Sequence, residues 1–230
     1  LYLEDTNDDG KADVRDTLLT GFALSNPQHN LNSPLYGIDN WIYMVHEPAV
    51  ATQSYKEEFG DEGVDIFYPH QPQNPRLPKN ANGRNVRFQP DSYTLEMTSA
   101  SGQFGHTFDP WGHHLLLNNS NHAFQEVIAA RYLQRNPDLL VTRVTHTLSD
   151  HGQPADVFPI TKNPQHQLLT SVGVFTSAAG LEMYQGGAFP SEFENITVVA
   201  EPVSNLVHID KITEDGVSYK ASRVYQQKEF

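Results

Sequence analysis

Leu35-Tyr36-Gly37-Ile38-Asp39-Asn40-Trp41-Ile42-Tyr43-Met44-Val45 is the stretch that decides the fold class. Two short runs of aromatic and apolar residues flank Asp39-Asn40, a two-residue turn signal, and this is the pattern of a β-hairpin. The form recurs. Phe88-Gln89-Pro90-Asp91-Ser92-Tyr93 joins residues 85–88 to 93–97, and Phe108-Asp109-Pro110-Trp111-Gly112 joins residues 104–108 to 114–117. Each copy is a strand, a turn containing Asp, and a second strand.

Further strand-like runs lie at residues 182–184, 196–200 and 206–209, with a last pair at 216–219 and 223–225. Short strands broken by frequent turns predict an all-β sandwich, barrel or propeller. At about 40–50 residues per blade, the chain holds roughly four to five blades. The expectation is a partial six-bladed β-propeller, one domain over residues 1–230, excerpted at both ends. Leu1 opens in mid-strand, and Phe230 ends the chain without a terminating element. The long first interval of the repeat is read as an insertion near residues 48–82. Within it, residues 68–84 are rich in Pro and Asn and predict a long surface loop. One helix is predicted over residues 124–134, with Pro137 ending it. The irregular stretch 135–175 that follows is of a length that often carries function.

Composition removes several classes of function. With no cysteine there is no disulfide framework, thiolate metal site or covalent haem motif. The formal charge of −13 is spread along the chain and opposes a nucleic-acid surface. It suits calcium-rich or saline surroundings. No apolar run approaches the ~18 residues of a membrane span. Gly-x-Ser-x-Gly, phosphate-loop and His-Glu-x-x-His motifs are all missing from the sequence.

Residues 5–16 fit a twelve-residue calcium loop. Asp5, Asn7 and Asp9 occupy positions one, three and five, and Gly10 takes the sharp turn at six. Lys11 offers its carbonyl at seven, Asp13 stands at nine and Asp16 closes the loop at twelve. Calcium needs six to eight oxygens, and this spacing supplies them. Asp in place of Glu at position twelve resembles dockerin-type loops. Both flanks read as strands, so the ion would staple a hairpin and play a structural part. The competing reading is an acidic turn with solvated side chains.

Several runs resemble one family. These are residues 25–43 (Ser-Asn-Pro-Gln-His-Asn at the start), Gly105-His106-Thr107-Phe108-Asp109, Asn118-Asn119-Ser120-Asn121-His122, Ser149-Asp150-His151-Gly152, residues 158–161, and residues 180–190. Together they resemble the membrane-bound dehydrogenase propellers of environmental bacteria, relatives of sorbosone dehydrogenase and soluble quinoprotein glucose dehydrogenase. The resemblance implies a six-bladed propeller, a periplasmic or extracellular location, and oxidation of a sugar or alcohol hydroxyl. Electrons would pass to pyrroloquinoline quinone (PQQ) or to a cytochrome c, whose haem would sit in a domain outside this chain.

Residue by residue, the resemblance makes His29 the general base, since a histidine near neutral pKa takes a proton from a hydroxyl as hydride leaves. Glu47 stands near the place of the acid that orients it. Val203 and Ser101 stand near the places where the family carries a quinone-binding Lys and Arg. His106, Asn121, His122 and His151 fall at strand ends and loops where a propeller's channel groups lie, and are the expected cofactor residues. His113 and His114, beside Trp111, are expected at the surface or the core edge. A non-catalytic propeller binding carbohydrate or protein, and a structural excerpt whose activity lies elsewhere, both stay open.

Overall fold

The chain opens with a hairpin, β1 (Tyr2–Glu4) against β2 (Val14–Asp16). Four consecutive strands then pair in chain order, three times over. The first sheet is β3 (Asn32–Tyr36), β4 (Ile42–Val45), β5 (Val86–Gln89) and β6 (Thr94–Met97). The second is β7 (His106–Phe108), β8 (His114–Asn118), β9 (Asn121–Glu126) and β10 (Thr145–Thr147). The third is β11 (Ala179–Met183), β12 (Ile196–Glu201), β13 (Leu206–Asp215) and β14 (Ser218–Arg223). All four sheets are antiparallel and the protein is all-β. This is a computed structural model, and it describes residues 1–24, 30–47, 57, 60–160 and 173–230. Among them, no helix is long and apolar enough to cross a membrane.

The repeated Asp turn has a structural basis. The Asp39 turn joins β3 to β4 and the Asp109 turn joins β7 to β8, so the two hold the same place in successive sheets. Asp39 Oδ1 accepts from the Trp41 N–H at 3.4 Å, and Asp109 Oδ1 from the N–H of Trp111 at 2.9 Å and of His113 at 2.8 Å. A short acidic side chain is selected there because it satisfies turn donors that no strand can reach. Asn40 and Gly112 supply the left-handed backbone, at φ 63° and 83°. The middle copy joins β5 to β6.

The first strands of the sheets begin at Asn32, His106 and Ala179, 74 and 73 residues apart. The expected count of four to five blades is corrected accordingly. Among the described residues there are three four-stranded sheets and one two-stranded hairpin, because long connections lengthen each unit. The helix expected over 124–134 is also corrected. Residues 124–126 belong to β9 and pair with β8, Leu116 facing Phe124, and only α1 (Ala130–Leu133) is helical. Pairing between strands outweighs a helix propensity worth only tenths of a kcal/mol per residue. Residues 135–175, expected to be irregular, contain β10. The expected surface loop at 68–84 turns inward in part: Ile66 bridges Leu77, and Asn80 and Ala81 are buried.

Strand β8 shows how the sheets stack. Leu115 and Leu117 join a core cluster with Leu181, Met183, Val199 and Ile212 of the third sheet. Leu116 points the other way, into a cluster with Val45, Ala100 and Phe124 on the side of the first sheet. Alternation with period two therefore buries both faces of one strand, and each fully buried leucine contributes about 1.5–3 kcal/mol. The first strands of the sheets lie side by side. Asn32 Nδ2 donates to the Gln103 carbonyl at 2.7 Å, beside β7, and the Gly180 N–H of β11 donates to the Phe104 carbonyl at 2.7 Å. Gly105 makes that approach close: its φ is +101°, and a Cβ there would lie 3.1 Å from Gly180 Cα.

Candidate functional site

A cleft of about 350 Å3 opens between the first and second sheets, at the lower end of the range for small-molecule sites. The first sheet supplies Asp39, Tyr43, Arg87 and Glu96; the second supplies His114 and Glu126, with Trp111 and Tyr132 at the rim. Arg87 organises the first wall. On β5 it projects between its cross-strand neighbours, Tyr43 on β4 and Glu96 on β6. Its guanidinium donates to Asp39 Oδ2 at 3.0 Å, to the Tyr43 hydroxyl at 2.9 Å and to Glu96 Oε2 at 2.9 Å, and lies 4.3 Å from the centre of the Trp41 ring. Both of its bonds to Glu96 go to Oε2, so among the described residues Oε1 is left without a protein partner in a side chain 39% exposed. Burial pushes the Tyr43 phenol up to about 12, with Arg87 pulling against it. The Trp111 ring is 77% exposed.

A buried relay forms the other wall. His106 Nε2 faces the Ser33 carbonyl at 2.7 Å, His106 Nδ1 faces His114 Nε2 at 2.9 Å, and His114 Nδ1 faces Glu126 Oε2 at 2.9 Å. A carbonyl only accepts, so the assigned tautomer has His106 donating from Nε2 and accepting from His114 at Nδ1. Burial, and then the neighbouring His114, push His106 down to about 3. Burial would raise Glu126. His114, and the Ser99 N–H and hydroxyl at 2.8 and 2.5 Å, outweigh it and hold the carboxyl below its ordinary value.

On the other side of the second sheet, His122, His151, His208 and Asp210 converge, with one nitrogen or carboxylate oxygen from each within 4.8 Å of the rest. His122 opens β9. His151 follows β10 on a turn pinned to β14 by the Asp150 N–H donating to the Ala221 carbonyl at 3.1 Å. His208 and Asp210 stand two apart on β13 and so share one face of it. Asp210 meets His122 Nε2 at 2.9 Å and His208 Nε2 at 3.0 Å, and His151 Nε2 stands 3.7 Å away. Burial would raise Asp210; the two histidines hold it far below its ordinary value instead.

A family model described as "Domain of unknown function (DUF7133)" matches residues 1–230. The chain belongs to the DUF7133 family. Comparison with curated proteins and with solved structures finds no match.

The expected cofactor residues of this DUF7133 chain do not form one group. His122 and His151 come together. Asn121, beside His122, donates from Nδ2 to the Thr147 hydroxyl at 3.1 Å. His106 belongs to the relay by the cleft. His114, expected at the surface or core edge, is buried. His29, expected as base, lies outside the described residues. Val203 lies near the third sheet's 176–178 turn, its N–H donating to the Ser177 hydroxyl at 3.0 Å, and Ser101 is exposed.

Residues 5–13 form a tight acidic turn between β1 and β2, and residues 14–16 of the expected loop are β2 itself. Asp5 Oδ2 accepts from the Gly10 N–H at 2.7 Å, Asn7 Oδ1 from the Asp9 N–H at 3.0 Å, Asp9 Oδ1 from the Lys11 N–H at 2.9 Å, and Asp13 Oδ2 from the Thr6 hydroxyl at 2.8 Å. Slight desolvation would raise Asp5; the N–H groups of Gly10, Asp9, Asn7 and Asp8 outweigh it and lower its pKa. Asp16 pairs across from Tyr2 and meets His70 Nε2 at 2.7 Å.

Sequence reasoning missed His208, Asp210, Arg87 and Glu126. The alternation His208-Ile209-Asp210 was a visible signal for two residues on one face. No sequence signal joins them to His122, since that contact spans 88 positions.

Proposed function

We propose that the chain supplies three blades of a β-propeller whose first inter-blade cleft binds a neutral polyhydroxylated ligand, a carbohydrate or polyol. The propeller reading is supported by the three meanders of matching strand order and by the side-by-side first strands, the arrangement of blades around an axis. The observation that carries the ligand class is the wall around Arg87. It offers the one Arg87 guanidinium N–H left over from its bonds to Asp39, Tyr43 and Glu96, and carboxylate acceptors in fixed positions, with Glu96 Oε1 open among the described residues, beside the exposed Trp111 ring. Vicinal hydroxyls need paired donors and acceptors, and the C–H face of a sugar needs an aromatic surface. Three carboxylates are set against two guanidiniums and two imidazoles in the lining, a near balance that favours an uncharged ligand over a phosphate.

Oxidation of the bound hydroxyl remains the second reading, and it rests on the sequence resemblance. It takes His29 as base, PQQ or a cytochrome c as electron acceptor, and a periplasmic or extracellular setting. In this reading the 5–16 turn holds calcium through Asp5, Asn7, Asp9, Asp13, Asp16 and the Lys11 carbonyl. Calorimetric titration with a panel of mono- and disaccharides and polyols tests the binding reading. Saturable binding that is lost in Trp111→Ala and Arg87→Met supports it; no heat from any member, or binding untouched by both variants, refutes it. Dye reduction with added PQQ, calcium and a ligand that binds, abolished in His29→Ala, would add oxidation.

A further inference from the structure

The cluster of three histidines and an aspartate is unexplained by the cleft, from which the second sheet separates it. Its hydrogen-bond accounting does not close. His151 donates from Nδ1 to Asp150 Oδ1 at 3.1 Å, which leaves a lone pair on Nε2. That nitrogen is buried without a partner and looks at Asp210 Oδ1 from 3.7 Å. His208 lies between two carboxylates, with Nδ1 2.7 Å from Glu229 Oε2 and Nε2 3.0 Å from Asp210 Oδ1. Three imidazole nitrogens thus converge on one carboxylate in a place where Asp210 is 0% and His122 and His208 are each 1% exposed. A cation between them would give the unpartnered His151 nitrogen a bond and the four groups one common partner.

We propose that His122, His151, His208 and Asp210 form a closed four-ligand centre for one first-row divalent transition metal of the zinc class, which staples the second sheet to the third. The donor set selects the class. Neutral imidazoles with one carboxylate suit zinc, cobalt, nickel, copper or iron, whereas calcium and magnesium take oxygen ligands. The dimensions agree. Metal–ligand bonds of about 2.0–2.1 Å in a tetrahedron place ligand atoms roughly 3.3 Å apart; Asp210 lies 2.9 Å from His122 through Oδ2 and 3.0 and 3.7 Å from His208 and His151 through Oδ1, and the four ligand atoms all lie within 4.8 Å of one another. The outer groups agree as well. A metal-bound imidazole usually gives its other N–H to a carboxylate, and His151 has Asp150 and His208 has Glu229 in that position. Arg223 holds Glu229 at 2.8 Å and Ser222 holds Asp150 at 2.6 Å. His122 has no such group: its Nδ1 is buried without a partner, and the ring is held by lying flat on Phe175, with ring centres 4.5 Å apart. Four protein ligands in a buried place make a structural centre, since a catalytic one keeps a position open for water or substrate. The staple joins β9 and the turn after β10 to β13.

The test uses the 230-residue chain stripped with chelator and titrated with Zn2+ or Co2+ alone. Metal content after gel filtration should reach one equivalent. Bound Co2+ should show the visible bands of a tetrahedral ion, and Zn2+ should raise the melting temperature. His151→Gln removes the least buried ligand and should weaken binding at least 100-fold, while the melting temperature in chelator stays near that of the parent chain. Asp150→Ala, which removes only the group behind His151, should weaken it about 10–100-fold. Absent tetrahedral bands, binding well below one equivalent, or affinity unchanged in His151→Gln would overturn the proposal. Should His151→Gln fail to fold, the cobalt spectrum and stoichiometry of the parent chain decide alone. None of these readouts involves the cleft, so failure here leaves the carbohydrate reading standing, and the reverse.

Discussion

Acid should unfold this protein through His106, and the size of the effect follows from the relay. His106 is 4% exposed, and its pKa falls from 6.5 to about 3 on folding. The unfolded chain therefore binds the extra proton across that window and the folded chain does not, so stability falls as the pH falls. The contribution is fully present above pH ~6.5 and is lost progressively towards pH ~3. At pH ~4.5, two units below the unfolded value, the loss is about 2.7 kcal/mol at 1.36 kcal/mol per unit. That is a large share of a typical total of about 5–15 kcal/mol. His106→Gln keeps one donor for the Ser33 carbonyl and one acceptor for His114 but does not titrate. It should cost about 1–2 kcal/mol at neutral pH through imperfect geometry. Between pH 7.5 and 4.5 the variant should then lose about 2–3 kcal/mol less than the parent. Urea unfolding followed by the fluorescence of Trp41 and Trp111, at half-unit pH steps, measures both curves. Buried His122 also titrates below its ordinary value, but it does so in both proteins and cancels in the difference. Parallel curves for the two proteins would refute the assignment of His106 as the buried neutral member of the relay.

Other expectations can be checked by simpler means. Trp111→Ala should leave the melting temperature within about 2 °C, because the ring is mostly exposed, while saccharide binding by calorimetry disappears. Gly105→Ala places a Cβ against Gly180 in a backbone conformation that L residues avoid, and should cost about 2 kcal/mol or more in urea unfolding. Leu116→Ala should cost about 2–5 kcal/mol, since the side chain is fully buried. Asp9→Ala should lower the melting temperature in calcium and change little in chelator; equal losses in both conditions would show that the 5–16 turn is held by its own hydrogen bonds alone.

The all-β class was legible because turn chemistry is local. Asp39-Asn40 and Asp109-Pro110 announce their hairpins through side chains that bond only two to four residues away. The unit length was not legible, because the long connections between strands carry no signal of which strand they return to. The helix over 124–134 failed for a related reason. Residues 124–126 look helical by composition, yet their partners are Leu115 and Leu116 on a neighbouring strand. For the sites, His122 and His151 stood out as polar residues at expected strand ends, but the residue that gathers them, Asp210, lies 88 positions beyond His122. Arg87 reads as an ordinary strand residue until β4 and β6 close on both sides of it.

The two boundaries between sheets are unequal. Thirteen described buried residues join the second sheet to the third, whereas the cluster shared by the first and second holds four. Apolar contact sets how strongly neighbouring units open together, so the second and third sheets should exchange amide hydrogens as one block and the first sheet as another. The cleft sits on the weaker seam. A molecule bound there would touch both blocks and be coupled to their parting, which makes occupancy of the cleft readable as a merging of two exchange phases into one.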